Sequence, residues 1–210
     1  TCAVSRAAAG EPCDQGVCDG AGACVPALIA GVDYPVIAQG GRLVITGAGF
    51  TGAAAVTVGG VPQIHTVDSD AQIVIPALDD ATPAGAQQVV IATQAGSSAP
   101  LEVTVIRLQI SELDADTPGS IDALEFVEVS AGMPGVDLSG YTLVLWDGAT
   151  DTSTAAVELA AITNAEGRLV IGGAALAPSL TLASGAIDNG PDGVGIHQGP
   201  PSAFPQGTAL

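Results

Sequence analysis

Lysine is absent from this chain of 210 residues, and arginine occurs only four times against 22 aspartate and glutamate residues. The formal net charge of −18 excludes sequence-independent binding to nucleic acid, because such binding depends on Lys and Arg neutralising phosphates. The negative charge also argues against binding to anionic membrane surfaces. The acidity favours solubility and divalent cations as partners, although a genome-wide acidic bias explains it equally well.

Aromatic residues are also scarce, at 3%, whereas hydrophobic residues make up 48%. The cores must therefore be built from Val, Ile, Leu and Ala. No apolar run reaches the roughly 18 residues that a membrane helix needs, and no signal peptide is recognisable. A secreted protein would thus be represented here by its mature form or a piece of it. The 28 glycines and 14 prolines imply frequent turns, and many short strands between turns predict an all-β fold.

No cysteine follows residue 24, and all four lie in a small segment, residues 1–32, that is too rich in Gly and Ala to bury a core. Two disulfides would supply the missing constraint. The alternative, a zinc site, fits the C-x4-C and C-x5-C spacings poorly without a nearby histidine. Three pairings are open to the sequence, and we adopt the interleaved one as a hypothesis: Cys2–Cys18 with Cys13–Cys24. Such a framework indicates an oxidising, extracellular compartment.

Residues 33–106 form a β module with strand-like runs at the short spacing of a sandwich, at 34–38, 42–46, 55–58, 72–75, 87–93 and 101–106. Its motifs are Pro35, GGRLVITGAGF (40–50), VTVGGV (56–61), DSDAQIVIP (68–76) and VVIATQAGSS (89–98). On these motifs the module resembles the IPT/TIG immunoglobulin-like domain. The preceding run PCDQGVCDGAGACVP looks like one unit of the Cys-rich repeats of secreted bacterial proteins. The resemblance of residues 33–106 to the IPT/TIG domain implies a spacer or interaction module in an extracellular chain.

The run Gly47-Ala48-Gly49-Phe50-Thr51-Gly52 satisfies the G-x-G-x-x-G pattern of a dinucleotide site. That site requires the last glycine to open a helix within a βαβ unit, and the segment after Gly52 is too short for a helix. We therefore predict a glycine-rich turn that lets Phe50 enter the core.

Residues 107–210 form the third segment, with strands predicted at 108–113, 126–130, 141–146, 157–159, 168–172, 180–182 and 194–197. The pattern I-x-E, an acidic loop, EFVEV and VDLSGYTL, together with the turn IDNGPDGV, resembles the lamin tail domain. That resemblance implies a second immunoglobulin-like sandwich, with Tyr141 and Trp146 in its core. Members of the family continue into a further closing strand, which is not evident here. A fragment, an open edge or a strand supplied by another molecule would each explain this departure.

One acidic loop could hold a metal ion. Asp114, Asp116, Asp122 and Glu125 fall at the first, third, ninth and twelfth positions of an EF-hand-like loop. The flanking segments are strands, and Pro118 replaces a usual ligand, so the loop is not an EF-hand. The alternatives are a Ca²⁺ site built from carboxylates and carbonyls, or a solvated loop between strands.

No residue set resembles a catalytic centre. Glu112, Glu125 and Glu128 lie on or beside strands, but nothing in the sequence indicates the pocket that acid–base chemistry requires. His65 and His197 lie far apart in the chain, and neither is near a cysteine or a G-x-S-x-G motif, so we interpret them as loop or edge residues.

The sequence thus predicts two consecutive immunoglobulin-like β-sandwiches preceded by a small disulfide-bonded segment. With almost no linker between them at residues 106–108, the sandwiches suit a non-enzymatic structural or adhesive protein of a bacterial cell surface or filament. Its expected partners are proteins, copies of itself included, joined by strand donation. The alternative is an accessory binding or spacer region of a larger secreted hydrolase, since lamin-tail-like domains accompany such enzymes.

Overall fold

The computed structural model describes residues 8–13, 16–116, 123–183, 185–187, 190 and 192–209. The chain divides into two compact units, Thr1–Ile106 and Arg107–Leu210. In the described residues the regular structure consists of twenty β-strands and two short 3-10 helices, which confirms the all-β fold class. No helix in those ranges has the length and apolar character of a membrane span.

A small antiparallel sheet opens the first unit, in the order β1 (Pro12–Cys13), β2 (Gly16–Cys18) and β3 (Cys24–Val25). The Cys13–Cys24 disulfide joins its two outer strands, with Cα atoms 6.1 Å apart, and it is one bridge of the interleaved pairing. Cys18 is disulfide-bonded as well, while Cys2 lies outside the described residues. Because Cys13, Cys18 and Cys24 are all disulfide-bonded, none of these three described cysteines has a free thiol that could bind zinc.

Ten further strands complete the first unit: β4 (Leu28–Val32), β5 (Val36–Ala38), β6 (Leu43–Ala48), β7 (Ala55–Val58), β8 (Val61–Pro62), β9 (Thr66–Ser69), β10 (Gln72–Ile75), β11 (Gly85–Thr93), β12 (Gly96–Ser97) and β13 (Leu101–Ile106). One sheet has the order β4-β6-β10-β9, and the other the order β5-β13-β11-β7-β8 with β12 beside β11. Ile45 and Ile73 from the first sheet and Val58 and Ile91 from the second are fully buried in one core. The unit is therefore a β-sandwich.

The glycine-rich run begins at the end of β6 and forms a turn, as predicted, and β7 comes after it instead of a helix. Phe50 is fully buried. A Cβ on Gly47 would collide with the carbonyl oxygen of Leu28 and lie 2.5 Å from the Phe50 ring. Gly49 adopts φ +78°, a left-handed conformation that glycine accepts without strain. The glycines thus serve close packing and the turn, not phosphate binding.

The second unit contains β14 (Gln109–Asp114), β15 (Phe126–Ser130), β16 (Tyr141–Asp147), β17 (Thr152–Glu158), β18 (Arg168–Gly173), β19 (Leu180–Leu182) and β20 (Gly193–Gln198), with 3-10 helices at Ala174–Leu176 and Pro201–Ala203. One sheet has the order β14-β15-β18-β19, and the other the order β17-β16-β20. Val127 and Ile171 of the first sheet and Leu143 of the second are fully buried. Apolar side chains therefore fill the space between two sheets, as in the first unit.

Strand β16 is buried along nearly its whole length. Leu143 lies on the inner face, toward the other sheet, and Thr142 and Trp146 lie on the outer face because side chains alternate along a strand. The segment after β20 covers this outer face. The Thr142 hydroxyl donates to the carbonyl of Gly199 over 2.7 Å, and the chain continues over the sheet to Phe204. Burial on both faces explains why YTLVLW is an almost uninterrupted apolar run. Tyr141 is buried on the inner face, as predicted, and Trp146 is buried as well, but on the outer face.

Candidate functional site

The acidic loop predicted to bind Ca²⁺ begins at the end of β14. Asp114 ends that strand, and its Oδ1 accepts a hydrogen bond from the N–H of Asp116 over 3.2 Å. Glu125 is buried, with 2% of its surface exposed, and its Oε2 accepts from the N–H of Ile187 over 3.4 Å. Asp122 lies outside the described residues. Within the described ranges no three His, Cys, Asp or Glu side chains are arranged to hold a metal, and Ca²⁺ binding stays a prediction.

Glu112 and Glu128 lie opposite each other on β14 and β15. Oε1 of Glu128 accepts hydrogen bonds of 2.7 Å from the hydroxyl of Ser111 and from Nη1 of Arg168. The ion pair is partly exposed and contributes at most about 1 kcal/mol to stability. Glu128 is therefore a residue of the sheet surface, and its carboxylate is paired with the guanidinium of Arg168.

The edges of the sheets distinguish one strand of the second unit. Natural proteins block edge strands with charges, bulges, short length or a covering segment. Strand β14 contains Glu112, Asp114 and a register shift after Ile110, and β19 has only three residues. Along β17, Ala209 forms a bridge with Thr152, so the chain's own C-terminal segment covers part of that edge. Each of these three edges is thus protected in a recognisable way.

Among the described residues, strand β20 has no such protection. It pairs with β16 on one side, and no strand of the described residues pairs with its other side. Its sequence, GVGIHQ, contains neither a charged residue nor a proline. We call the side of β20 away from β16 the open edge.

The direction of the β20 backbone groups can be derived from one hydrogen bond. The N–H of Gly199 donates to the carbonyl of Gly140 over 2.8 Å, which marks a hydrogen-bonded pair at the end of the ladder. Because such pairs alternate in antiparallel sheets, Gly195 bonds toward β16. The N–H and C=O groups of Val194 and Ile196 therefore point away from β16, toward the open edge.

The outer face at the start of β20 forms a shallow depression of about 470 Å³. We call it the outer groove; its lining includes Trp146, Gly193, Gly195 and His197, together with the carboxylates of Asp147, Asp151 and Asp192, which we call its acidic rim. The Trp146 and His197 rings have centroids 6.0 Å apart. A Cβ on Gly195 would lie 2.9 Å from Nε2 of His197, so glycine at this position lets the imidazole lie over the strand.

A second cavity of about 360 Å³ opens where the ends of β14 and β16 meet the start of β20. We call it the end cleft; its apolar lining includes Leu113, Leu145, Ile187 and Val194. Leu113 is 47% exposed, which leaves a large apolar side chain at the mouth of the cleft. Trp146 and Val194 line both cavities, so the two lie next to each other at one end of the open edge.

The rim of the outer groove is acidic. Oδ1 of Asp147 accepts from the N–H of Ala149 over 2.7 Å, and Oδ1 of Asp192 accepts from the N–H of Gly148 over 3.1 Å. Oδ2 of Asp192 is buried with no hydrogen-bond partner among the described residues. No Arg or Lys is among the described residues that line the groove. The groove therefore combines aromatic walls with uncompensated negative charge.

A scan of protein-family models and a search of curated proteins find no match to the chain. Parts of three solved structures are similar in fold. The gamma-CGTase of alkalophilic Bacillus clarkii is 18% identical with a TM-score of 0.38, over 59% of this chain and 16% of that one. SGBP-B from a complex xyloglucan utilization locus in Bacteroides uniformis is 13% identical with a TM-score of 0.35, over 60% and 48%.

SGBP-B of the Bacteroides ovatus mixed-linkage glucan utilization locus, in complex with a mixed-linkage heptasaccharide, is 14% identical with a TM-score of 0.35, over 68% of this chain and 43% of that one. The chain thus spans less than half the length of each of these structures. At TM-scores this low, what those proteins bind or act on says nothing about this chain.

An open edge in the third segment was one of the alternatives raised by the sequence, but its location on β20 and the outer groove were missed by reasoning from sequence. The interpretation of His197 as an edge residue is correct, since it lies on β20. The available signal was the alternation of glycine with apolar residues in Gly193–Ile196. In a strand, that alternation places both glycines on one face, where they leave space beside neighbouring aromatic rings.

Proposed function

We propose that this chain is a non-enzymatic, extracellular binding module that takes up an extended segment of a partner protein as an added strand along β20. The observation behind the proposal is the open edge. Val194 and Ile196 direct backbone donors and acceptors away from β16, which is the arrangement that strand addition uses. Main-chain hydrogen bonds would supply affinity, and side-chain cavities would supply specificity.

The contrast between β20 and the other edges of the unit supports this function. Protection of three edges and not of the fourth indicates that the fourth is kept accessible, because an unprotected edge otherwise leads to aggregation. The end cleft adds a reason for one partner to be preferred. An incoming residue opposite Val194 would share the inward direction of that side chain and could place an apolar group at Leu113 and Ile187.

The Cys13–Cys24 disulfide supports an extracellular location, because such bridges persist in oxidising compartments. We further propose that the two sandwiches are the IPT/TIG-like and lamin-tail-like modules of a bacterial surface or filament protein. The GGRLVITGAGF and VDLSGYTL motifs support that assignment. Copies of the chain are candidate partners, provided that added salt screens the repulsion between two net charges of −18.

The experiment is amide NMR of the full chain with a capped, neutral peptide of alternating valine and threonine, six residues long like β20. We expect the amides of Val194 and Ile196 to exchange faster than that of Gly195 in the free chain. Of these three amides, that of Gly195 donates to β16, whereas the other two point toward the open edge. Adding the peptide should slow exchange at Val194 and Ile196 selectively. Unchanged exchange and unchanged chemical shifts at millimolar peptide would contradict the proposal.

A matched pair of variants separates edge binding from general effects. Val194→Pro removes an outward N–H and places a ring on the open edge, whereas Val194→Thr keeps the N–H and a similar volume. Binding by the Thr variant and not by the Pro variant is the expected pattern. Equal binding by both variants would show that the peptide binds elsewhere.

A further inference from the structure

The outer groove lies beside the open edge of β20, where the proposed partner strand would pair. Gly193 and Trp146 are directly opposite each other in the β16–β20 ladder. Among the described residues other than its two chain neighbours, a Cβ on Gly193 would meet the Trp146 Cβ at 3.7 Å, an ordinary contact, and no other atom within 4 Å. The absence of a side chain at Gly193 therefore leaves a path from the open edge toward Trp146, of which 8% is exposed.

A partner strand along β20 would place one side chain at the entrance of this path. Gly193 directs its backbone groups toward β16, so the partner residue opposite it occupies a non-hydrogen-bonded position, where side chains across two strands approach most closely. That residue shares the direction of Gly193, toward the outer face. A long side chain would cross the glycine and reach Trp146, the next position in the same row.

The charge of the groove determines which long side chain fits. The carboxylates of Asp147, Asp151 and Asp192 line the groove that this path enters. An acidic or simply apolar side chain would leave those charges uncompensated. A Lys or Arg side chain would bring a cation to the carboxylates and to the indole, which attracts cations to its face, and would lay its aliphatic stem over Gly193.

We propose that the partner strand carries a Lys or Arg opposite Gly193 and an apolar residue at the adjacent, inward-facing position. This inference rests on the proposed strand addition and adds the chemical identity of the strand. The basic residue contacts Trp146 and the acidic rim, while the apolar residue enters the end cleft at Leu113 and Ile187. The chain has no Lys and a net charge of −18, so a basic segment of a different protein suits the groove better than a second copy of this chain.

The test compares three capped six-residue peptides with the full chain: valine alternating with arginine, with threonine and with glutamate. Trp146 is the only tryptophan, so its fluorescence reports on the outer groove directly. We expect the arginine peptide to bind roughly tenfold more tightly than the threonine peptide, about the effect of one cation–π contact with nearby carboxylates. The glutamate peptide should bind most weakly, and added salt should reduce the difference.

Two charge variants locate the effect. Asp151→Asn removes one rim charge while keeping a residue that tolerates the positive φ of 54° at this position. Glu166→Gln makes the same charge change on an exposed turn before β18. In Asp151→Asn, the ratio of the affinities for the arginine and threonine peptides should fall roughly two- to threefold, as expected for the loss of one partly screened charge. In Glu166→Gln this ratio should stay the same.

The outcomes distinguish the inference from the function on which it rests. If none of the three peptides protects the Val194 and Ile196 amides, strand addition itself is wrong. If all three bind with equal affinity, strand addition holds and the basic partner residue is refuted. Equal losses in Asp151→Asn and Glu166→Gln would also refute it, because they would show an effect of net charge alone.

Discussion

Gly193 faces Trp146 across the β16–β20 ladder, and a Cβ there would touch the tryptophan Cβ at an ordinary 3.7 Å. The described packing therefore leaves room for a Cβ at residue 193, which is why we connect this glycine with access to the indole from the open edge.

Replacing Gly193 by valine should leave the fold intact and obstruct the groove. Valine favours strands, so we expect the free energy of unfolding to stay equal or rise by up to about 1 kcal/mol. Binding of the arginine peptide should fall to the level of the threonine peptide. Urea denaturation and Trp146 fluorescence measure the two effects. Gly31→Val is the control, because a Cβ there meets only the Thr46 hydroxyl, at 3.9 Å, in the other unit.

Replacing Val194 by proline should block partner binding at little cost in stability. The Val194 N–H points away from β16, so proline removes no hydrogen bond of the ladder. Relative to Val194→Thr, we expect less than about 1 kcal/mol of destabilisation and at least a roughly tenfold loss of peptide affinity. A large loss of stability in Val194→Pro alone would show that the alternation of the β20 hydrogen bonds is the reverse of our assignment.

Removing the Cys13–Cys24 bridge should loosen the small N-terminal sheet. The bridge closes a loop with a sequence separation of 11 residues, for which chain entropy predicts about 3 kcal/mol. In Cys13→Ser/Cys24→Ser the amide of Cys18, which donates to the carbonyl of Glu11 over 2.8 Å, should lose its protection from exchange. Ile73 in the first sandwich core should keep its protection. Loss at both sites would mean that the sheet and the sandwich unfold together.

Asp70 should make the first unit sensitive to acid. Burial alone would raise the pKa of this carboxyl, but hydrogen bonds from the Thr51 hydroxyl and from the N–H groups of Gly49 and Thr51 outweigh burial and lower the pKa below 3.8. The stabilisation is present above pH 3.8, the value without these contacts, and is lost as the pH falls through the lower folded-state pKa.

The variant Asp70→Ala should lose about 1–2 kcal/mol of stability at neutral pH and show a flatter decline of stability as the pH falls below 3.8. Asp68→Ala is the control, since its exposed carboxylate accepts a hydrogen bond from the Thr66 hydroxyl of its own strand. Parallel pH curves for the native chain and Asp70→Ala would contradict the assignment. Urea denaturation at several pH values gives the comparison.

The acidic loop predicts Ca²⁺ binding through Asp114, Asp116, Asp122 and Glu125. Calorimetric titration at physiological salt should give saturable heat, and Asp116→Asn should weaken binding because a Ca²⁺ site depends on the number of charged ligands. Asp80→Asn changes the same charge on an exposed residue of the other unit. No heat at millimolar Ca²⁺ would leave the solvated-loop interpretation.

Much of the strand pattern can be derived from local sequence. The predicted bounds 55–58, 72–75, 101–106, 126–130 and 180–182 agree with the structure, because turn residues interrupt apolar runs at those places. Strand β4 was not predicted. Leu28–Val32 lies before residue 33, and only its pairing with β6 makes it a sheet strand. Strand β17 was predicted too short, since Thr152–Ala155 has little apolar character of its own.

The sequence by itself determined the fold class, the disulfide bonding of the N-terminal cysteines, the scarcity of basic residues and the burial of Tyr141 and Trp146, because composition and local periodicity encode these properties. Only the tertiary structure decided which edge is open, that Glu125 is buried, and that Gly193 adjoins an indole with an acidic rim. Those features depend on which distant segments pair. Strand pairing is set by the summed packing of both sheets, and no local pattern in the chain contains that information.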